Sequence, residues 1–139
     1  MKLWQGVLWL LVASLCFAEL SLASGLMVEG TCKNGARAVL TFEASQLQVL
    51  SPVKANLKLI DKDDQPINSA LVYCSLYIPN VATGANNPKL VQSEEGGIYN
   101  GVVFFGDAGK WKAALTINFP GGGYEELVLD IGQVMPKKS

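Results

Sequence analysis

The sequence contains no histidine. Histidine is the commonest metal ligand and the usual general base near neutral pH. Its absence excludes a Ser-His-Asp triad, a Cys-His pair and a zincin-type site. Cysteine is scarce too, with three in the chain, and only Cys32 and Cys74 lie beyond the first two dozen residues. Neither charge sign dominates: 11 Lys and Arg face 12 Asp and Glu. No basic footprint for nucleic acid is therefore visible. Helical patterning is missing after residue 25, where no stretch holds apolar residues at i, i+3, i+4 and i+7 over three turns.

The N-terminus is separate in character. Lys2 supplies a positive charge, an apolar run follows from Leu3 to Ala18, and Glu19 ends it. Ser21-Leu22-Ala23 then presents small residues at the −3 and −1 positions of a cleavage site. This is the pattern of a secretory signal peptide over residues 1–23. The run is shorter than the ~20 apolar residues that span a bilayer as a helix. An uncleaved anchor is the competing reading. Lipidation at Cys16 is a third, although Leu15 stands where a lipobox has a small residue. The remainder, residues 24–139, is enough for one modest core and one domain. The closing Pro136-Lys137-Lys138-Ser139 is too short to form a polybasic membrane patch by itself.

Period-two runs separated by Gly, Pro, Asn and Asp clusters fill that remainder, which predicts an all-β sandwich or barrel. Strands are expected at 26–31, 36–43, 53–60, 70–78, 90–94, 97–105, 110–119 and 125–131, with a short edge piece at 45–49. In 53–60, Val53, Ala55, Leu57 and Leu59 alternate with Lys54, Asn56 and Lys58. The 70–78 run is apolar at both parities and reads as a central strand, with Cys74 sharing the inward parity of Ala70, Val72 and Leu76. Pro120-Gly121-Gly122-Gly123 joins the last two strands as a hairpin, and Asn80–Lys89 reads as a polar loop suited to binding contacts. Trp111, the only tryptophan beyond the N-terminal run, reads as a core plug. Tyr99 can bury its ring while its hydroxyl keeps a partner at the sandwich end.

From Val53 to Ile117 the order of short motifs resembles a known family. Asn56-Leu57-Lys58-Leu59-Ile60-Asp61 leads through Gln65-Pro66-Ile67 to Ala70-Leu71-Val72. Leu76-Tyr77-Ile78-Pro79-Asn80-Val81, Gly96-Gly97-Ile98-Tyr99-Asn100-Gly101 and Ala108-Gly109-Lys110-Trp111 follow. This order is similar to that of YtkA-like domains, and more loosely to FixH proteins. The resemblance implies an exported bacterial immunoglobulin-like β-sandwich of seven or eight strands. It also implies a link to copper handling or respiratory oxidase assembly. The sequence departs from the family where methionines are frequent, for Ile78 and Val81 stand there. Soft thioether and imidazole ligands are what copper selects, so this departure weighs against a copper role.

Three readings of the cysteines stay open. A Cys32–Cys74 disulfide would suit an exported protein and stabilise by roughly 2–4 kcal/mol. Two separate thiols, with Cys74 buried, are the second reading. A Cu(I) trio of Cys32, Cys74 and Met27 is the third. A catalytic thiol lacks the neighbouring base that would lower its pKa. Asp61, Asp63 and Asp64 lack the glycine and downstream glutamate of an EF-hand loop, and read as a solvated turn. Glu94-Glu95 and Glu125-Glu126 read as water-facing charges at strand ends rather than an acid/base pair. The expectation is a periplasmic or secreted, non-enzymatic binding or accessory module of the bacterial envelope. It has no cofactor and no nucleic-acid partner, and it reaches a membrane only through an uncleaved N-terminus. Copper handling or oxidase assembly is the alternative.

Overall fold

The structure is a computed structural model that describes residues 25–84 and 86–137. The expected signal peptide at 1–23 lies outside the described residues. Those described form nine strands and no helix: β1 Leu26–Thr31, β2 Arg37–Phe42, β3 Leu47–Gln48, β4 Val53–Ile60, β5 Leu71–Tyr77, β6 Lys89–Gln92, β7 Ile98–Val103, β8 Gly109–Asn118 and β9 Tyr124–Met135.

The period-two pattern explains the layering. Along β4, Val53, Ala55, Leu57 and Leu59 are buried while Lys54 and Lys58 are exposed. Successive side chains of a strand point to opposite faces, so one face of each strand must find an apolar partner. The nine strands meet that demand as one curled sheet in the order β1-β2-β4-β7-β6-β5-β8-β9-β3. All pairings are antiparallel except β3 with β9.

The curl is made at β6. Its first half pairs with β5 (Leu90 with Val72), and its second half pairs with β7 (Val91 with Asn100). One strand thus belongs to both layers and folds the sheet over itself into a β-sandwich. On the opposite side β1 packs against β9 without strand pairing. A Cβ on Gly30 would stand 2.8 Å from Leu129 Cδ2 and 3.1 Å from Leu127 Cδ2. Glycine is what permits that approach.

The enclosed core contains no buried polar or charged residue among those described. Its centre is aromatic. Phe105 meets Phe42 edge-on at 6.2 Å between centroids and Trp111 at 5.0 Å. Trp111 is a core plug, and its indole N–H donates to the Asp107 carbonyl at 2.9 Å. Tyr99 behaves as its position suggests. The ring is fully buried, its hydroxyl donates to the Ile67 carbonyl at 2.8 Å, and it accepts from the Ala70 N–H at 3.0 Å.

Three expectations need correction. β5 is central in pairing order but not apolar-covered on both sides, since Leu71 and Tyr73 on its outer face are exposed. The Asn80–Lys89 segment is not wholly a free loop. The Leu76 N–H bonds the Asn86 carbonyl and the Cys74 N–H bonds the Pro88 carbonyl, which extends the β5 edge. β9 runs to Met135, past the expected end at Ile131, because a bulge opposite Trp111 and Lys112 re-registers it on β8.

Candidate functional site

The two thiols among the described residues occupy different places. Cys32 follows β1 in the turn to β2, where its N–H bonds the Ala36 carbonyl and its carbonyl accepts from Gly35. Cys74 lies mid-β5, inward as its parity requires, 0 % exposed and opposite Leu115 on β8. Both are free thiols, so the expected Cys32–Cys74 disulfide is replaced by the separate-thiol arrangement. The physical reason is sheet geometry. Cys32 packs against Glu125 on β9, and β9 is two strand positions from β5. Cys32 is thus held beside Glu125, while Cys74 points into the core from mid-β5.

The Cu(I) trio is not brought together either. Met27 projects from the outer side of β1 and is 59 % exposed, whereas Cys74 is sealed in the core. No group of three or more His, Cys, Asp or Glu able to hold a metal occurs among the described residues. Burial pushes the Cys74 thiol up to about 12. Cys32 is pushed up to about 11, first by burial and then by its hydrogen bond to the Glu125 carboxylate and that group's charge. Both are therefore neutral thiols at physiological pH, the opposite of an activated nucleophile.

Cys32 and Glu125 face each other in a groove of about 460 Å³ lined by Thr31, Lys33, Tyr124, Glu126 and Leu127 as well. Glu125 does not simply face water, as its place beside a glycine run suggested. It shares the inward parity of Leu127 and Leu129, and its Oε2 is buried with no hydrogen-bond partner among the described residues. That parity was readable in the sequence. The facing Cys32 was not, because it comes from a hairpin nearly a hundred residues earlier.

A second groove, of about 480 Å³, lies outside the sheet between β4 and the β6–β7 turn. Lys54, Asn56, Ser93, Glu94, Glu95 and Asn100 line it, and the Asn100 Oδ1 is buried without a partner. Glu94 and Glu95 sit here, whereas Glu125 and Glu126 sit at the first groove, so the four glutamates make no single carboxylate pair.

The acidic run is a turn. The Asp61 Oδ1 accepts from the N–H groups of Asp63 at 2.8 Å and Gln65 at 3.0 Å, and Asp64 bridges to Arg37 at 2.7 Å. These bonds close the β4–β5 connection on itself and engage the Asp61 and Asp64 carboxylates. No helix among the described residues is long and apolar enough to cross a membrane. No family model and no curated protein matches the chain.

Proposed function

We propose that this chain is an exported, non-enzymatic binding or accessory module of the bacterial cell envelope. It acts through contacts made by its loops and exposed strands. The observation that carries this reading is the separation of Cys32 from Cys74, each a neutral, buried thiol. With no histidine in the sequence, these are the groups most able to bind soft metal or run covalent chemistry, and burial raises the pKa of each.

The strand order supports the immunoglobulin-like part of the proposal. β2-β4-β7-β6 follows the order of an A-B-E-D layer, and β5-β8-β9 that of a C-F-G layer. β1 and β3 are additions at the two ends. The resemblance to YtkA-like domains supports an envelope location, and the 1–23 pattern supports export.

The test is thiol accounting on the folded protein, followed by titration with Cu(I) against a competing chelator. The expected result is two thiols that react only after unfolding, and no Cu(I) complex that outlasts the competitor. Tight Cu(I) binding that disappears in Cys32→Ala or Met27→Leu would replace this reading with metal handling. Turnover of any substrate would end it.

A further inference from the structure

One edge of the sheet is open beside the Cys32–Glu125 groove. β9 pairs with β8 along its length and with β3 only at Val134 and Met135. No strand among the described residues pairs with the other side of β9 from Tyr124 to Val128. The phase of the ladder decides which groups that edge presents. The Phe119 N–H bonds the Gly123 carbonyl at the mouth of the β8–β9 hairpin. Hydrogen-bonded and open pairs then alternate along the two strands. Glu125 and Leu127 therefore turn their main-chain groups toward β8, and Tyr124, Glu126 and Val128 turn theirs outward. Proline and lysine commonly guard such an edge. β9 contains neither, and its bulge lies past Val128.

The groove runs along this edge. β1 and β9 touch at Gly30, where an added Cβ would stand 2.8 Å from Leu129 Cδ2. Beyond that contact Thr31, Cys32 and Lys33 form one wall, and the Tyr124–Leu127 stretch forms the other. Both faces of β9 line the space, so the open main chain and the inward Glu125 share it. Glu125 accepts a hydrogen bond from the Cys32 thiol, yet its Oε2 is buried with no partner among the described residues. Lys33 lines the groove and makes no ion pair with Glu125 or Glu126. A buried carboxylate oxygen without a donor is costly, and a cationic side chain is the strongest donor for it.

We infer that the β9 edge takes up an extended peptide strand of a partner protein, whose main chain pairs with Tyr124, Glu126 and Val128 and whose lysine or arginine side chain reaches Glu125 in the groove. Two features define that occupant. Outward N–H and C=O groups on alternate residues are completed by another extended main chain. A partner residue lying between two pairing positions points its side chain to the inner face, where Glu125 stands. β9 of a second copy carries no lysine or arginine, so the same edge cannot supply the missing donor. The inference rests on the accessory reading and names the chemistry of its partner.

Exchange of individual amides on the full chain tests it, with acetyl-Thr-Lys-Thr-Lys-Thr-Lys-amide as the probe. In the free protein the Tyr124, Glu126 and Val128 amides should exchange faster than those of Glu125 and Leu127, which β8 already holds. The probe should slow the first three and change the other two little, a period-two footprint that charge attraction alone does not produce. The same peptide N-methylated at every residue keeps its charge and loses its donors, and it should leave no footprint. A peptide with glutamate in place of lysine should leave none either. Glu125→Gln should weaken binding of the lysine peptide about tenfold. Edge amides already slow without peptide overturn the inference, as do a footprint elsewhere, one left by the methylated peptide, or none at all. Unchanged affinity in Glu125→Gln overturns it equally. The thiol and Cu(I) measurements are independent of these outcomes, so the accessory reading stands or falls separately.

Discussion

Removing one oxygen atom from Tyr99 should destabilise the domain out of proportion to its size. The Tyr99 hydroxyl is the partner of two main-chain groups in the segment that leads into β5, donating to the Ile67 carbonyl and accepting from the Ala70 N–H. Ala70 is buried, and its N–H makes no other bond. Tyr99→Phe keeps the ring and its packing, so the loss is confined to hydrogen bonding. The Ile67 bond contributes about 1 kcal/mol, and the buried Ala70 N–H left unpaired costs about 1–3 kcal/mol. The sum is roughly 2–4 kcal/mol, a large share of the ~5–15 kcal/mol that holds a domain folded. At about 4 °C per kcal/mol for a domain of this size, Tm falls by roughly 8–16 °C. Urea unfolding reads this directly: the midpoint should drop while the m-value stays constant. Amide exchange at Ala70 should accelerate more than the global change explains. A loss below about 0.5 kcal/mol with Ala70 exchange unaltered would show that water replaces the hydroxyl, and would refute the reasoning.

Gly97→Ala should be harsher than an ordinary surface change. Gly97 has φ 75°, and an added Cβ would lie 2.8 Å from the Leu59 carbonyl oxygen and 2.9 Å from Pro66 Cβ. We expect a cost of about 2 kcal/mol or more by chemical denaturation. The thiols set an alkaline limit. Both folded-state pKa values lie above the ordinary thiol value of 9.0, at about 11 for Cys32 and about 12 for Cys74. The folded state therefore holds its protons more tightly than the unfolded chain. That contribution is complete below pH 9 and is lost as pH rises toward 11–12. The Cys32→Ala/Cys74→Ala variant should lose less stability than wild type between pH 9 and 11 in a denaturant series, and parallel losses would contradict the assignment. Asp64→Asn should cost under ~0.5 kcal/mol, because the Arg37–Asp64 pair is exposed on both sides. A larger change in melting temperature would mean that the turn, not the ion pair, depends on the carboxylate.

Much of the fold can be read directly from alternation. The inward set of β4, the inward Cys74, the buried Trp111 and a buried Tyr99 whose hydroxyl keeps a partner all follow from period two and from what each side chain needs when buried. Strand ends were less legible. β9 outran its pattern because a bulge near Ile131 shifts its register, and pairing partners decide where a bulge falls. The 70–78 run looked covered on both faces because Leu71 and Tyr73 are as apolar as the core residues between them. Composition cannot say whether a second layer will cover an outer face.

By itself, then, the sequence determined the class of structure: strands, their inward faces, their turns, and an interior without imidazole. Those properties are local, set by alternation and by backbone chemistry within a few residues. Tertiary structure alone decided that β6 serves both layers and that Cys32 meets Glu125 instead of Cys74. Each of these depends on which distant strands become neighbours. That choice is made by closing the whole sheet over one core, and no short stretch of chain encodes it.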